Sequence, residues 1–183
     1  MGIRRNHSRV LAILSIGWLL QACQSAPHEP MTLEEGCNPL LAGADCFLPY
    51  PSDVFLVKDD AMPSGQRLEI PPAAAIYNTS GDSANVDHAV DGFSKTPPIV
   101  TMLDSTISPE GLVGIFDDPE ASIQPGNRTL IINAETGELV AHFVDLDPRS
   151  QEPQRQAFVI RPIVGLEEQT TYIVAIHGIK DTL

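Results

Sequence analysis

Basic residues, aromatic residues and long hydrophobic runs are all scarce in this chain of 183 residues. The chain has 11 Lys and Arg against 24 Asp and Glu, for a formal net charge of −13. A surface of this sign repels polyanions, which argues against nucleic acid as a partner. No apolar run reaches the roughly 20 residues that a membrane-spanning helix needs. The protein is therefore expected to sit on a membrane and not within it.

The first 22 residues have the pattern of an export signal. Three arginines and no acid precede an apolar run of 11 residues, Val10–Leu20, which is too short for a permanent span. The run ends in Leu20-Gln21-Ala22-Cys23, which resembles the lipobox of bacterial lipoproteins. That resemblance implies cleavage before Cys23 and a diacylglycerol on its sulfur. The alternative is an ordinary signal peptide followed by an incidental cysteine.

A lipid on Cys23 would anchor the mature chain to a membrane. Each buried methylene contributes about 0.8 kcal/mol, so two or three acyl chains hold firmly. Gln24 stands where retention in the inner membrane would favour aspartate, so resemblance to Gram-negative lipoproteins implies the outer membrane. Loss of the signal leaves 8 basic and 24 acidic residues, a net charge of −16. We expect an exported protein that is lipid-anchored to the cell envelope.

Cysteine is rare, with three residues in the whole chain. If Cys23 carries the lipid, Cys37 and Cys46 remain as an even pair in an oxidising compartment, which favours a disulfide. Metal binding is the alternative, but no histidine or further cysteine lies at ligand spacing. We expect no metal and no cofactor.

The segment from Cys23 to residue 36 is polar and punctuated by proline, which predicts a tether. Residues 37–183 are numerous enough for one domain with its own core. Prolines divide this region into short segments rich in β-branched and aromatic residues, which favours an all-β fold. Brief helices are predicted only around Ala73–Tyr77 and Ser83–Ala89. Strands are predicted at Asp53–Lys58, Arg67–Ile70, Ile99–Leu103, Leu112–Phe116, Thr129–Asn133, Glu138–Asp145, Ala157–Arg161 and Tyr172–His177.

Two of these strands form the clearest local prediction, a hairpin. Thr129–Asn133 and Glu138–Asp145 flank a four-residue turn in which Gly137 can take the positive φ that a type I turn plus bulge requires. Both faces of the second strand carry apolar side chains. We therefore expect it to be covered on both sides.

The segment from Leu166 to Ile176 has a specific spacing, with Thr170 four residues after Leu166 and Tyr172 two further on. This spacing resembles the tyrosine corner of fibronectin type III and related bacterial Ig-like domains. The resemblance implies that the Tyr172 hydroxyl bonds to upstream backbone and pins a corner of a β-sandwich. The alternative is an ordinary buried tyrosine.

A wider resemblance covers residues 37–183. It rests on Cys37–Leu40, Cys46–Asp53, Asp91–Ser94 and Arg161–Ile176. These segments look like the N-terminal Ig-like region of large secreted bacterial lipoproteins, including virulence-factor-type extracellular lipases and esterases. In the enzymes of that group, an α/β-hydrolase domain follows the Ig-like region. Two hypotheses follow: a membrane-tethered, non-catalytic Ig-like module, or the front piece of a lipase or esterase whose catalytic domain lies beyond residue 183.

No complete catalytic site is visible in the sequence. An α/β-hydrolase holds its serine within G-x-S-x-G, and no serine here has that context. Ser94 comes nearest but lacks the second glycine, and we interpret it as a turn or capping hydroxyl. His177 precedes Gly178 and is interpreted as an ordinary histidine at a strand end. We therefore assign no catalytic residue.

Two groups of mainly acidic residues could in principle bind calcium through loop carboxylates. Neither has the spaced carboxylates and glycine of a known calcium loop, so solvated loop acids are the favoured interpretation. The groups are Asp82, Asp87, His88 and Asp91, and Asp117, Asp118 and Glu120.

The end of the chain predicts an unfinished sheet. A tyrosine corner makes Tyr172–Ile176 the next-to-last of seven strands, and the following Gly178–Leu183 has the pattern of a turn. We expect the final strand to be absent and the Tyr172–Ile176 edge to be completed by downstream sequence or by a partner strand.

Overall fold

Within the described residues, the regular structure consists of seven short strands and three turns of 3-10 helix. The structure, a computed structural model, describes residue 38 and residues 47–70, 90–103 and 105–182, all within one compact unit that spans Leu33–Leu183. The strands are β1 (Leu56–Lys58), β2 (Gln66–Leu68), β3 (Ile99–Met102), β4 (Thr129–Asn133), β5 (His142–Leu146), β6 (Ala157–Pro162) and β7 (Tyr172–Ile176). The 3-10 turns are Asp53–Phe55, Pro119–Ile123 and Pro153–Arg155. The prediction of an all-β fold is confirmed.

The strands pair antiparallel in three sheets. β1 pairs with β2, β3-β6-β5 form a three-stranded sheet, and β4 pairs with β7. Tyr50 extends the three-stranded sheet, because its amide and carbonyl both bond to Val100 of β3, at 2.9 and 2.7 Å. The order in that sheet is therefore the Tyr50 segment, β3, β6 and β5.

Alternation of side chains builds the core. In β4, Thr129, Ile131 and Asn133 are buried, while the two residues between them are partly exposed. Ile131 packs in one cluster with apolar residues of the three-stranded sheet, so the β4–β7 pair and that sheet share a core. The buried members are Ile99, Ile107, Ile131, Val144, Phe158 and Ile160.

A smaller aromatic cluster lies at the start of the described chain. Phe55 is 1% exposed, and Phe47 and Tyr50 pack against it. The Phe47 and Tyr50 rings stack with centroids 4.4 Å apart, and Phe93 meets Tyr50 edge-on at 5.6 Å. This cluster brings the segment around Tyr50 to the edge of β3.

The predicted strand at Leu112–Phe116 is wrong. Gly114 makes one isolated parallel bridge to Val144, after which the chain turns, and the Asp117 amide donates to the Gly114 carbonyl at 3.1 Å. The Asp117 carboxylate accepts from the Gly114 amide at 2.7 Å and closes the same turn. Ile115 and Phe116 have strand-forming side chains, but these two hydrogen bonds determine a turn.

Two other predicted strands begin later than expected. Asp53–Phe55 forms a 3-10 turn, with the Phe55 amide donating to the Ser52 carbonyl at 3.1 Å, so β1 begins at Leu56. The hairpin turn after β4 is present, and Gly137 has φ of 74°. Its second strand, however, leaves β4 after Val140, and from His142 it pairs with β6. The predicted helices at Ala73–Tyr77 and Ser83–Ala89 lie outside the described residues.

Candidate functional site

A fully buried histidine links two sheets of the described chain. His142 of β5 and Thr129 of β4 are both 0% exposed, and His142 Nε2 lies 2.9 Å from Thr129 Oγ1. The His142 amide donates to the Ser122 hydroxyl at 2.9 Å. Asn127 Nδ2 donates to the carbonyls of Ser122 and Thr129, at 2.6 and 2.8 Å. The 3-10 turn Pro119–Ile123 is thereby held against both sheets.

The hydrogen bonds of His142 limit its tautomer. Nδ1 lies 2.8 Å from the Val140 carbonyl, which can only accept, so Nδ1 carries a proton. When the ring is neutral, Nε2 accepts from the Thr129 hydroxyl. Burial lowers the pKa of His142 because desolvation disfavours the imidazolium. A fully buried neutral ring joined to a hydroxyl and a carbonyl is a structural link between sheets.

Ser94 and His177 are not brought together into a nucleophile and base. Ser94 is exposed, and its hydroxyl accepts from the Thr96 amide at 3.2 Å, as a turn-capping serine does. His177 Nε2 lies 2.8 Å from the Asn127 carbonyl, to which it donates. Among the described hydrogen bonds, none joins a hydroxyl to a histidine that is also held by a carboxylate, as a triad requires.

The aspartates after Gly114 accept hydrogen bonds from backbone amides of their own turns. Asp117 accepts from the Gly114 amide, and Asp118 accepts from the Glu120 amide at 3.0 Å and caps the following 3-10 turn. Asp91 accepts from the Ser64 hydroxyl. Over the described residues, no group of three or more acid, histidine or cysteine side chains could hold a metal ion. Asp82, Asp87 and His88 lie outside those residues.

The loop between β6 and β7 is tied down by Tyr172. The Tyr172 hydroxyl accepts from the Glu167 amide at 3.0 Å. Thr170 Oγ1 donates to the Glu168 carbonyl at 2.9 Å, within the same loop. The Leu166 amide donates to the Lys95 carbonyl at 2.7 Å and fixes the loop to the segment before β3.

β7 presents apolar side chains beside an open edge. Ile173 is 52% exposed and Val174 is 38% exposed, on opposite faces of the strand. At the two ends of the β4–β7 ladder, the backbone groups of Thr171 and His177 hydrogen-bond to the β4 side. The odd-numbered residues of β7 therefore exchange hydrogen bonds with β4. Since these groups alternate along an antiparallel strand, the amides of Val174 and Ile176 point to the other edge. In the part of the chain that the structure describes, no strand pairs there.

The structure does not describe the three cysteines to which the sequence analysis assigns a lipid and a disulfide. Cys23, Cys37 and Cys46 are outside the described residues. Within the described ranges, no helix is long and apolar enough to cross a membrane.

The chain was compared with known proteins by family, by curated sequence and by solved structure. None of the three comparisons found a match.

Proposed function

We propose that the chain is a membrane-tethered, non-catalytic Ig-like module of the bacterial cell envelope. The observation that carries the proposal is strand order. A constant-type Ig domain has one sheet ordered A-B-E-D and a second ordered C-F-G. In the larger sheet, the Tyr50 segment matches strand A, β3 matches B, β6 matches E and β5 matches D. Each match holds both for the position of the strand along the chain and for the strands with which it pairs. β4 and β7 correspond to C and F.

The corner residues support the same assignment. In an Ig-like sandwich the corner tyrosine lies near the start of strand F and bonds to backbone upstream in the E–F loop. Tyr172 is the first residue of β7, and its partner Glu167 lies in the loop after β6. Strand order and corner therefore point to the same strand as F.

In this proposal, the open edge of β7 is the position of strand G. A row of unpaired amides beside Ile173 and Val174 is a template for another strand, and natural proteins cover or charge such edges. We propose that a partner strand pairs there, either from a hydrolase domain downstream in a longer chain or from another protein. Pairing through the backbone would give affinity, and the exposed apolar side chains would give register.

The membrane part of the proposal rests on the lipobox and is tested by metabolic palmitate labelling. We expect label on the exported protein and none on Cys23→Ala, which should leave the membrane fraction. Ser25→Ala is the matched control and should label normally, because it changes a small polar residue two positions away. Label retained by Cys23→Ala would contradict the anchor.

The enzymatic alternative assigns the same module to a lipase or esterase with its catalytic centre outside the described residues. The module by itself should then be inactive, because a catalytic serine also needs a base and oxyanion donors. Residues 23–183 are expected not to hydrolyse a short-chain p-nitrophenyl ester. Turnover that disappears in Ser94→Ala would overturn the non-catalytic assignment.

A further inference from the structure

An isoleucine and a phenylalanine project into solvent at the tip of one turn. Phe116 is 99% exposed and Ile115 is 58% exposed. Single exposed apolar residues are common on protein surfaces, but a phenylalanine without cover beside a second large apolar residue is not expected of a solvated loop.

The turn that carries these side chains is preorganised. Asp117 closes it twice, once through its amide to the Gly114 carbonyl and once through its carboxylate to the Gly114 amide. The base of the turn is joined to the core, because the Val144 amide of β5 donates to the Val113 carbonyl at 2.7 Å. Exposure of Ile115 and Phe116 is thus built into the fold, so little ordering entropy is lost when they are buried in a contact.

Acidic side chains outnumber basic ones around the turn, and the Arg128 guanidinium lies against Gly111 near its base. Residues 111–127 contain Asp117, Asp118 and Glu120 and no lysine or arginine. The two aspartates accept from backbone amides of their own turns. The apolar tip of such a turn suits the apolar interior of a membrane whose surface has no net negative charge. A membrane with an anionic surface would repel the acids beside the turn.

We infer that the Ile115–Phe116 turn inserts into the interface of a zwitterionic lipid bilayer. The inference rests on the proposed lipid anchor, because a tether over residues 23–36 would keep the domain beside the membrane. An anchor on Cys23 would give the turn a high effective concentration at the membrane surface. Weak insertion of two side chains is then sufficient. The lipid is favoured over a protein pocket because it is the surface to which the predicted anchor leads.

The sequence supplies a reporter for this inference. The single tryptophan, Trp18, belongs to the signal, so residues 23–183 contain none. Phe116→Trp places one fluorophore at the tip of the turn, at a position that is exposed and makes no core contact. Val54→Trp is the matched control, because Val54 is an exposed apolar residue at 47% on a different turn.

The experiment holds residues 23–183 on phosphatidylcholine vesicles through an N-terminal hexahistidine tag and nickel-chelating lipid. This attachment does not depend on lipidation, so its result is separate from that of palmitate labelling. For Phe116→Trp we expect emission at shorter wavelength and roughly twofold or stronger quenching by brominated phosphatidylcholine. Val54→Trp should show neither effect. Replacing phosphatidylcholine by phosphatidylglycerol should weaken both effects, because the acids beside the turn repel it.

The inference is overturned if the Phe116→Trp emission on phosphatidylcholine vesicles equals that in solution. Such a result would mean that the turn does not enter the lipid. Equal quenching of the two tryptophan variants would also overturn it, because binding would then involve no particular turn.

Discussion

His142 Nε2 and Thr129 Oγ1 lie 2.9 Å apart with both side chains fully buried, and their hydrogen bond joins β5 of one sheet to β4 of another. Apolar contacts between two sheets are non-directional, whereas this hydrogen bond requires one position of β4 to lie next to one position of β5. A buried polar pair of this kind stabilises only while both partners are present, because the partner left behind is buried without a hydrogen bond.

Thr129→Val should therefore destabilise the fold although it preserves shape. We expect a loss of about 1–3 kcal/mol in the free energy of unfolding, since Nε2 of His142 would lack a donor. Thr101→Val is the matched control, because Thr101 is 8% exposed and its hydroxyl contact to the Met102 carbonyl is long, at 3.5 Å. Urea unfolding compares the two variants. An equal loss in both would contradict the role given to Thr129.

Stability should fall as the pH drops from neutral into the mildly acidic range. Burial lowers the pKa of His142 in the folded state, whereas the unfolded chain takes up its proton near pH 6.5. Below that pH the unfolded state binds more protons than the folded state, so folding stability declines until the lowered folded-state pKa is reached. Urea midpoints measured from pH 8 to 5.5 should show this decline. His142→Gln should flatten this decline, and a decline unchanged in His142→Gln would contradict the role given to His142.

Removal of one hydroxyl should loosen the loop between β6 and β7. Tyr172→Phe deletes the acceptor of the Glu167 amide and is expected to cost about 1 kcal/mol. Tyr50→Phe is the control. Tyr50 is partly buried in the aromatic cluster, and none of the described hydrogen bonds involves its hydroxyl. If Tyr50→Phe cost as much as Tyr172→Phe, the bond between the Tyr172 hydroxyl and the Glu167 amide would have no special role.

The distribution of correct and wrong predictions has a physical explanation. β4 and β7 were predictable because their alternating β-branched residues match a half-buried strand, and Gly137 marked the turn after β4. The turn at Gly114–Asp117 was missed because it depends on a side-chain-to-backbone bond of Asp117, while Ile115 and Phe116 are strand formers. Sequence reasoning cannot weigh such a bond against propensity.

The His142 link was also missed, although the sequence held a signal for it. His142 lies on one face of its strand between Val140 and Val144, where a polar residue is out of place unless it is paired. Its partner could not be inferred, because the segment after the hairpin turn stops pairing with β4 at Val140 and begins to pair with β6 at His142. That change of pairing brings His142 opposite Thr129, and it depends on the packing of both sheets.

The exported protein should contain one disulfide, between Cys37 and Cys46. In the chain-entropy model a loop of this size stabilises by about 2.5–3 kcal/mol, so Cys37→Ser and Cys46→Ser should each lower stability by a similar amount. Mass spectrometry after alkylation without reductant should find neither cysteine modified. Two alkylated thiols in the exported protein would contradict the pairing.

Amide hydrogen exchange along β7 tests most directly the claim that this is an Ig-like module with an open seventh-strand position. In the isolated protein, the amides of Ile173 and Ala175 should be protected, because they bond to β4. The amides of Val174 and Ile176 should exchange rapidly, because they face the open edge, and they should become protected when a partner strand is present. Protection of all four amides in the isolated monomer would contradict the account, since a strand from within the chain would then already occupy the edge.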